Sequence, residues 1–145
     1  MTVKQHIVLS AGISVIFYLA YRNLIAAIVC LGSGLLIDFD HIPEFLIHHG
    51  SAKLNYRNFL LACSQTSLKS GELMFKKLYL FLHSYELALI LLAVHAFTGN
   101  KIIAGIGFGF LFHIIADNIY NPVKLPAYFL IWRVYKKFNT FLLLK

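Results

Sequence analysis

Four short stretches carry most of the side chains in this sequence that could hold a metal ion: His6; Asp38, Asp40 and His41 in "LLIDFDHIPE"; His83 and Glu86 in "LHSYE"; and His113 and Asp117 in "FHIIAD". Four imidazoles and four carboxylates suit a borderline to hard divalent cation. Zinc comes first and manganese or iron second, while the imidazoles count against magnesium. Eight donors exceed one tetrahedral shell, so two or three ions are expected. His83 and Glu86 at i, i+3, and His113 and Asp117 at i, i+4, would each share one helical face. Asp38 and His41 do the same if helical geometry persists past Ile37, whereas Asp40 points elsewhere unless the helix has ended. Such a centre suits hydrolysis by metal-activated water, with a carboxylate among Asp38, Asp40 and Asp117 bridging ions and Asp40 or Glu86 as general base.

The elements that must bring these residues together follow from composition and apolar patterning. Hydrophobic residues make up 59% and charged residues 13% of the 145-residue chain, far from the roughly 25% charged typical of soluble domains. The profile is that of a membrane protein, and no linker-like segment divides residues 1–145, so one domain is expected. Apolar segments run over residues 6–21, 24–37, 78–99 and 102–116, too long and without the alternation that strands require. Breaks as short as Arg22–Asn23 and Gly99–Lys101 make two antiparallel helical hairpins. The fold class is therefore all-α: an integral membrane bundle of about four transmembrane helices, with Ser10, Ser14, Gly105, Gly109 and the "GSG" at 32–34 allowing close approach. In such an up-and-down bundle, the start of an odd helix and the end of an even one lie on the same side, so all eight candidate ligands converge at one end.

Other polar residues read differently. His95 lies about 18 Å from His83 along its helix and is expected to be structural. His48 and His49 are candidates for supporting or substrate contacts, Asn118, Tyr120 and Asn121 for orienting ligands, and Glu44 for a solvated position after Pro43. Cys30 and Cys63 form no CxxC pair and are expected to be free thiols. Residues 48–77 form a basic interfacial loop or lid. Residues 124–145, aromatic and basic after Pro126, form an amphipathic segment lying in the interface, with a fifth span as the alternative. The first twenty residues resemble a signal peptide, but no small-residue cleavage site follows, so cleavage is not expected.

The 13 basic residues outnumber the six acidic ones, and they are scattered beside apolar segments with no nucleic-acid motif. Membrane lipids are the expected partners. Lys4, Lys53, Arg57, Lys69, Lys76, Lys77 and Lys124 fall on the ligand side and Arg22 and Lys101 opposite it, which places the ligand end in the cytoplasm.

At His6, "GLLIDFDHIPE", "LHSYE" and "FHIIAD" the chain resembles the YdjM-like family of bacterial inner-membrane metal-dependent hydrolases, over most of residues 6–121; Ile37 stands where that family commonly has proline. More remotely, the order of its histidines and carboxylates is similar to that of the zinc-dependent phospholipase C and P1 nuclease superfamily, helical enzymes with a trinuclear zinc centre. These resemblances imply an inner-membrane hydrolase, acting on a phosphoester or lipid-linked substrate at headgroup level. The alternatives from the residues alone are a non-enzymatic metal-binding or transport protein and a membrane adaptor.

Overall fold

Short polar turns between apolar runs dictate two helical hairpins, and the computed structural model, which describes residues 3–53, 55, 57–58, 77–121 and 123–143, contains both. Cys63 and most of the basic loop, Lys69 and Lys76 included, lie outside the described residues. Helices α1 (Val3–Tyr21) and α2 (Leu24–Leu36) form the first hairpin; α4 (Tyr85–Thr98) and α5 (Lys101–Tyr120) form the second. At the first turn Asn23 caps α2 by accepting from the Ala26 amide at 2.9 Å. At the second, Gly99 takes a left-handed conformation (φ 66°) and the Asn100 side chain accepts from the Ile102 and Ile103 amides. Both follow the usual chemistry of helix ends, where orphan amides need an acceptor and a reversal of direction favours glycine.

The helical rod does not stop at the acidic motif. A 3-10 turn (Ile37–Asp40) and α3 (His41–His49) carry α2 onward, giving a 26-residue run from Leu24 to His49. Pro43 has no amide proton for the Phe39 carbonyl, but it lies in the first turn of α3, where proline is tolerated. This run and Lys101–Tyr120 are long and apolar enough to cross a membrane. Of the four spans expected, these two meet that test; α4 has 14 residues, about 21 Å of helix against a hydrocarbon core of about 30 Å.

The third apolar segment departs most from expectation. Its first part, residues 78–84, is not helical, and α4 begins at Tyr85, capped by Ser84 accepting from the Leu87 amide at 3.3 Å. The C-terminal segment is neither one amphipathic helix nor a span. It folds into a 3-10 turn (Leu125–Tyr128), α6 (Leu130–Tyr135) and α7 (Thr140–Leu143), and Lys77 and Asn139 form an antiparallel bridge across to it. Ile131, Trp132, Val134 and Tyr135 remain exposed there, with Lys136 Nζ 4.9 Å from the Trp132 ring centre.

Small residues hold α2 against α5. A Cβ added to Gly105 would overlap the Ala26 carbonyl oxygen, and one added to Gly109 would overlap the Ser33 hydroxyl and the Cys30 carbonyl. Cys30 is a buried free thiol within this seam, packed with Phe17, Ala26, Ala27 and Ala104. The close approach lets the Gly34 carbonyl reach across to His113, 2.7 Å from its Nδ1. Gly109→Ala is therefore expected to destabilise the bundle by about 1–3 kcal/mol, read by denaturation in detergent. An unchanged transition would mean that the seam relaxes freely.

Candidate metal centre

Each hairpin contributes to one cluster. His6 comes from the start of α1, Asp38 and His41 from the continuation of α2, His83 from the segment before α4, and His113 and Asp117 from the last turns of α5. One ligand atom from each of Asp38, His83, His113 and Asp117 lies within 4.8 Å of all the others. His83, His113 and Asp117 are buried, while the Asp38 side chain is 38% exposed. This Asp–His–His–Asp cluster could bind a metal ion.

Three of the four imidazole–carboxylate spacings in this cluster suit coordination better than a direct hydrogen bond, and the fourth is longer. His113 Nε2 lies 3.3 Å from Asp38 Oδ1 and 3.4 Å from Asp117 Oδ2. His83 Nε2 lies 3.5 Å and 3.8 Å from the same two oxygens. A proton shared between imidazole and carboxylate would draw them to about 2.7–2.9 Å. Two ligands on a tetrahedral ion, each about 2.0–2.2 Å from it, stand about 3.3–3.6 Å apart. The orphaned buried atoms point the same way: His83 Nε2, His113 Nε2 and Asp117 Oδ1 have no hydrogen-bond partner. Buried polar atoms without partners are costly, and a cation would satisfy them together.

Two more histidines flank this core. His6 Nε2 lies 3.5 Å from Asp117 Oδ1, the oxygen turned away from His113 and His83, and the His6 ring stacks on that of His113 at 4.4 Å. His41 Nε2 lies 3.8 Å from Asp38 Oδ1 in the i, i+3 arrangement expected of a helix continuing past Ile37. Thus Asp117 turns one oxygen to His6 and the other to His83 and His113.

Asp40 stands behind the cluster. Its Oδ2 accepts from the Leu82 amide at 2.7 Å and lies 3.5 Å from His83 Nδ1, so it orients the ring whose Nε2 faces the centre. His113 is oriented likewise by Gly34. A carboxylate or carbonyl behind a ligating imidazole fixes its tautomer and raises its basicity. Asp40→Asn is therefore expected to weaken metal binding about 10–100-fold while leaving the cluster assembled; competition with a calibrated chelator measures it, and an unchanged affinity would remove Asp40 from the centre.

Glu86 is not brought to the cluster. His83 precedes the helix whose first turn holds Glu86, so the expected shared face does not form. Glu86 instead accepts from the Leu130 and Ile131 amides at 2.9 and 3.1 Å, capping α6. Glu44, expected to be solvated, is buried and accepts from the Tyr79 and Leu80 amides at 2.9 and 3.4 Å. His48 Nε2 lies 2.9 Å from the Lys77 carbonyl, and His49 packs its ring on Phe45 at 4.9 Å. Asn121 pairs with Tyr128. At the opposite end, His95 lies between the Tyr21 hydroxyl and the Asn100 carbonyl, in the structural role expected of it.

The residue that sequence reading passed over is Arg133. It is buried, and its guanidinium donates to the carbonyls of Tyr79, Leu80 and His83. With Glu44 and Asp40 holding three amides of the same segment, these side chains clamp the backbone on both sides of Leu80, whose φ of 33° is strained for a non-glycine residue. The clamp delivers His83. Burial opposes a charge on that imidazole, but Asp38 and Asp40 outweigh it and raise the affinity of His83 for a proton. A signal for Arg133 did exist: a lone cation inside "LIWRVY" must find partners if it is buried.

Comparison of the chain with known protein families, curated proteins and solved structures finds no match.

Proposed function

We propose that the protein is a membrane-bound, metal-dependent hydrolase acting on a phosphoester at headgroup level. The observation that carries this reading is the convergence of unpartnered imidazole nitrogens and carboxylate oxygens, at coordination spacing, at one end of an apolar helical bundle. The resemblance to the YdjM-like family adds to it. Exposed apolar side chains such as Val8, Ile16, Ile25 and Phe97 around the helices favour a lipid surround, and the basic residues favour a cytoplasmic inner-membrane orientation for the site. Zinc is the first choice of ion, and Asp117, with His6 at one oxygen and His83 and His113 at the other, would serve a second ion if two are held.

A divalent ion held there would activate water near neutral pH and polarise a phosphoryl oxygen. His83 and His113 would hold the ion through their Nε2 atoms, with His6 and His41 beside Asp117 and Asp38, and the two carboxylates would balance its charge. Asp38 is the most exposed of the four core residues and is the one that solvent reaches. Asp40 is engaged by Leu82 and His83 and Glu86 by α6, so neither of the two expected general bases faces the centre, and Asp38 serves as a ligand on its exposed side. The burial of His83, His113 and Asp117 favours a second reading, a non-catalytic metal protein whose ion serves structure.

Metal analysis of purified protein, paired with hydrolysis of bis-p-nitrophenyl phosphate, tests both. About one or two ions per chain and hydrolysis abolished by Asp38→Asn are expected. Bound metal with no hydrolysis of this probe or of phospholipid mixtures would leave the structural reading. A reporter fused after Lys53 is expected to be silent outside the cell and one fused after Gly99 active; the opposite pattern would overturn the orientation.

A further inference from the structure

A groove of about 500 Å³ runs along the seam between α1 and α5, beside the metal centre. Its walls are Val8 and Leu9 from α1 and Phe112, Ile115 and Ile119 from α5, and Lys4 and Tyr120 stand at its ligand-side end. From Phe112 to Tyr120 it covers about 12 Å of helix. Val8 and Ile119, at 72% and 67% exposure, leave the groove open sideways toward the surround of the bundle.

Behind it lies the centre itself. His6 and Asp117, which meet across the same seam at 3.5 Å, are sequence neighbours of the groove residues Gln5 and Ala116. Leu9 and Phe112 also line a small inner cavity that reaches His113, Ser10 and Cys30. Two apolar side chains thus separate an outward-facing groove from a space touching a metal-ligand histidine. The groove is apolar along its length and cationic at one end, which is the pattern of an anionic lipid: tail along the helices, phosphate beside Lys4 at the level of the cluster.

We infer that the α1–α5 groove binds one acyl chain of an anionic phospholipid, so that substrate reaches the metal centre sideways from the bilayer. This inference rests on the metal-centre reading above. The occupant is a phosphate-bearing lipid because Lys4 supplies a cation where the headgroup must turn toward the ligands, whereas a zwitterionic lipid would gain less from that charge.

The test uses the full chain in nanodiscs with a trace of phosphatidic acid that carries a photoactivatable diazirine in its acyl chain, with metal content measured on the same samples. Cross-links are expected to concentrate on residues 4–9 and 112–120 and to be displaced by excess phosphatidic acid, not by phosphatidylcholine. Val8→Trp, at an exposed wall position, is expected to lower this labelling about tenfold, the equivalent of about two displaced methylenes. Lys4→Glu is expected to abolish the preference for phosphatidic acid, and neither variant is expected to change metal content. Labelling spread evenly over other exposed faces such as Leu89 and Ile90, or undisplaced by excess phosphatidic acid, would mean bulk lipid only and overturn the inference. Cross-links joining two chains through this groove would assign it to a second copy and overturn it equally. If wild-type protein carries no metal while the groove labels specifically, the metal reading fails and the lipid site stands.

Discussion

Replacing His113 with alanine is expected to strip the protein of metal. The imidazole is buried, its Nε2 lies 3.3 and 3.4 Å from Asp38 and Asp117, and its Nδ1 is tied to the Gly34 carbonyl. Its ring also supports His6 by stacking. Alanine removes one core nitrogen and loosens a second. Partners standing behind ligands are worth about 10–100-fold in affinity, so loss of a core ligand is expected to exceed about 100-fold. His95→Ala, at the other end of the bundle, is the control and should retain full metal content. Elemental analysis after gel filtration distinguishes the two. Equal metal in both variants would show that the cluster is a packing device of buried polar side chains and would remove the basis of the hydrolase reading.

Arg133→Met is the second large effect expected. Methionine keeps much of the apolar stem but withdraws the donors from the carbonyls of Tyr79, Leu80 and His83. It also leaves Asp40, Glu44 and Glu86 without the nearby cation that offsets their burial. Breaking a buried charged network from one side costs about 3–5 kcal/mol. The loss should fall first on residues 77–84, so protease cleavage there and reduced metal affinity are expected to precede global unfolding. Arg133→Lys should recover little, because an ammonium cannot reproduce the planar fork that reaches three carbonyls. Denaturation within about 1 kcal/mol of wild type, together with unchanged metal affinity, would show that the segment holds itself without the clamp.

The two predictions differ in how far the sequence foreshadows them. His113 and Asp117 could be paired from their spacing alone, because four residues make about one turn and a helix places them on one face. The same local geometry joins Asp38 to His41, and the 3-10 turn preserves it. Short turns at Arg22–Asn23 and Gly99–Asn100 then fix which helix ends lie together, so His6, Asp38 and His113 share one end for reasons readable in the chain. The glycines of α5 also announce a close neighbour, though not that Gly34 would answer with a carbonyl for His113.

Glu86, Glu44 and Asp40 show where such reading stops. Each was given a role from its own side chain and its near neighbours, yet each is employed by main-chain amides 35 to 45 residues away. Backbone amides are alike at every residue, so nothing in the chain marks which of them lacks a partner. That depends on where a helix begins, and here Ser84 starts α4 two residues before Glu86, leaving His83 outside the helix. Composition, period and spacing therefore determined the helical bundle, the end where the candidate ligands gather and most of the residues that meet there. Tertiary structure alone decided which carboxylates face the centre and which serve as caps and clamps, because unsatisfied buried amides and carbonyls compete for the same few charged side chains.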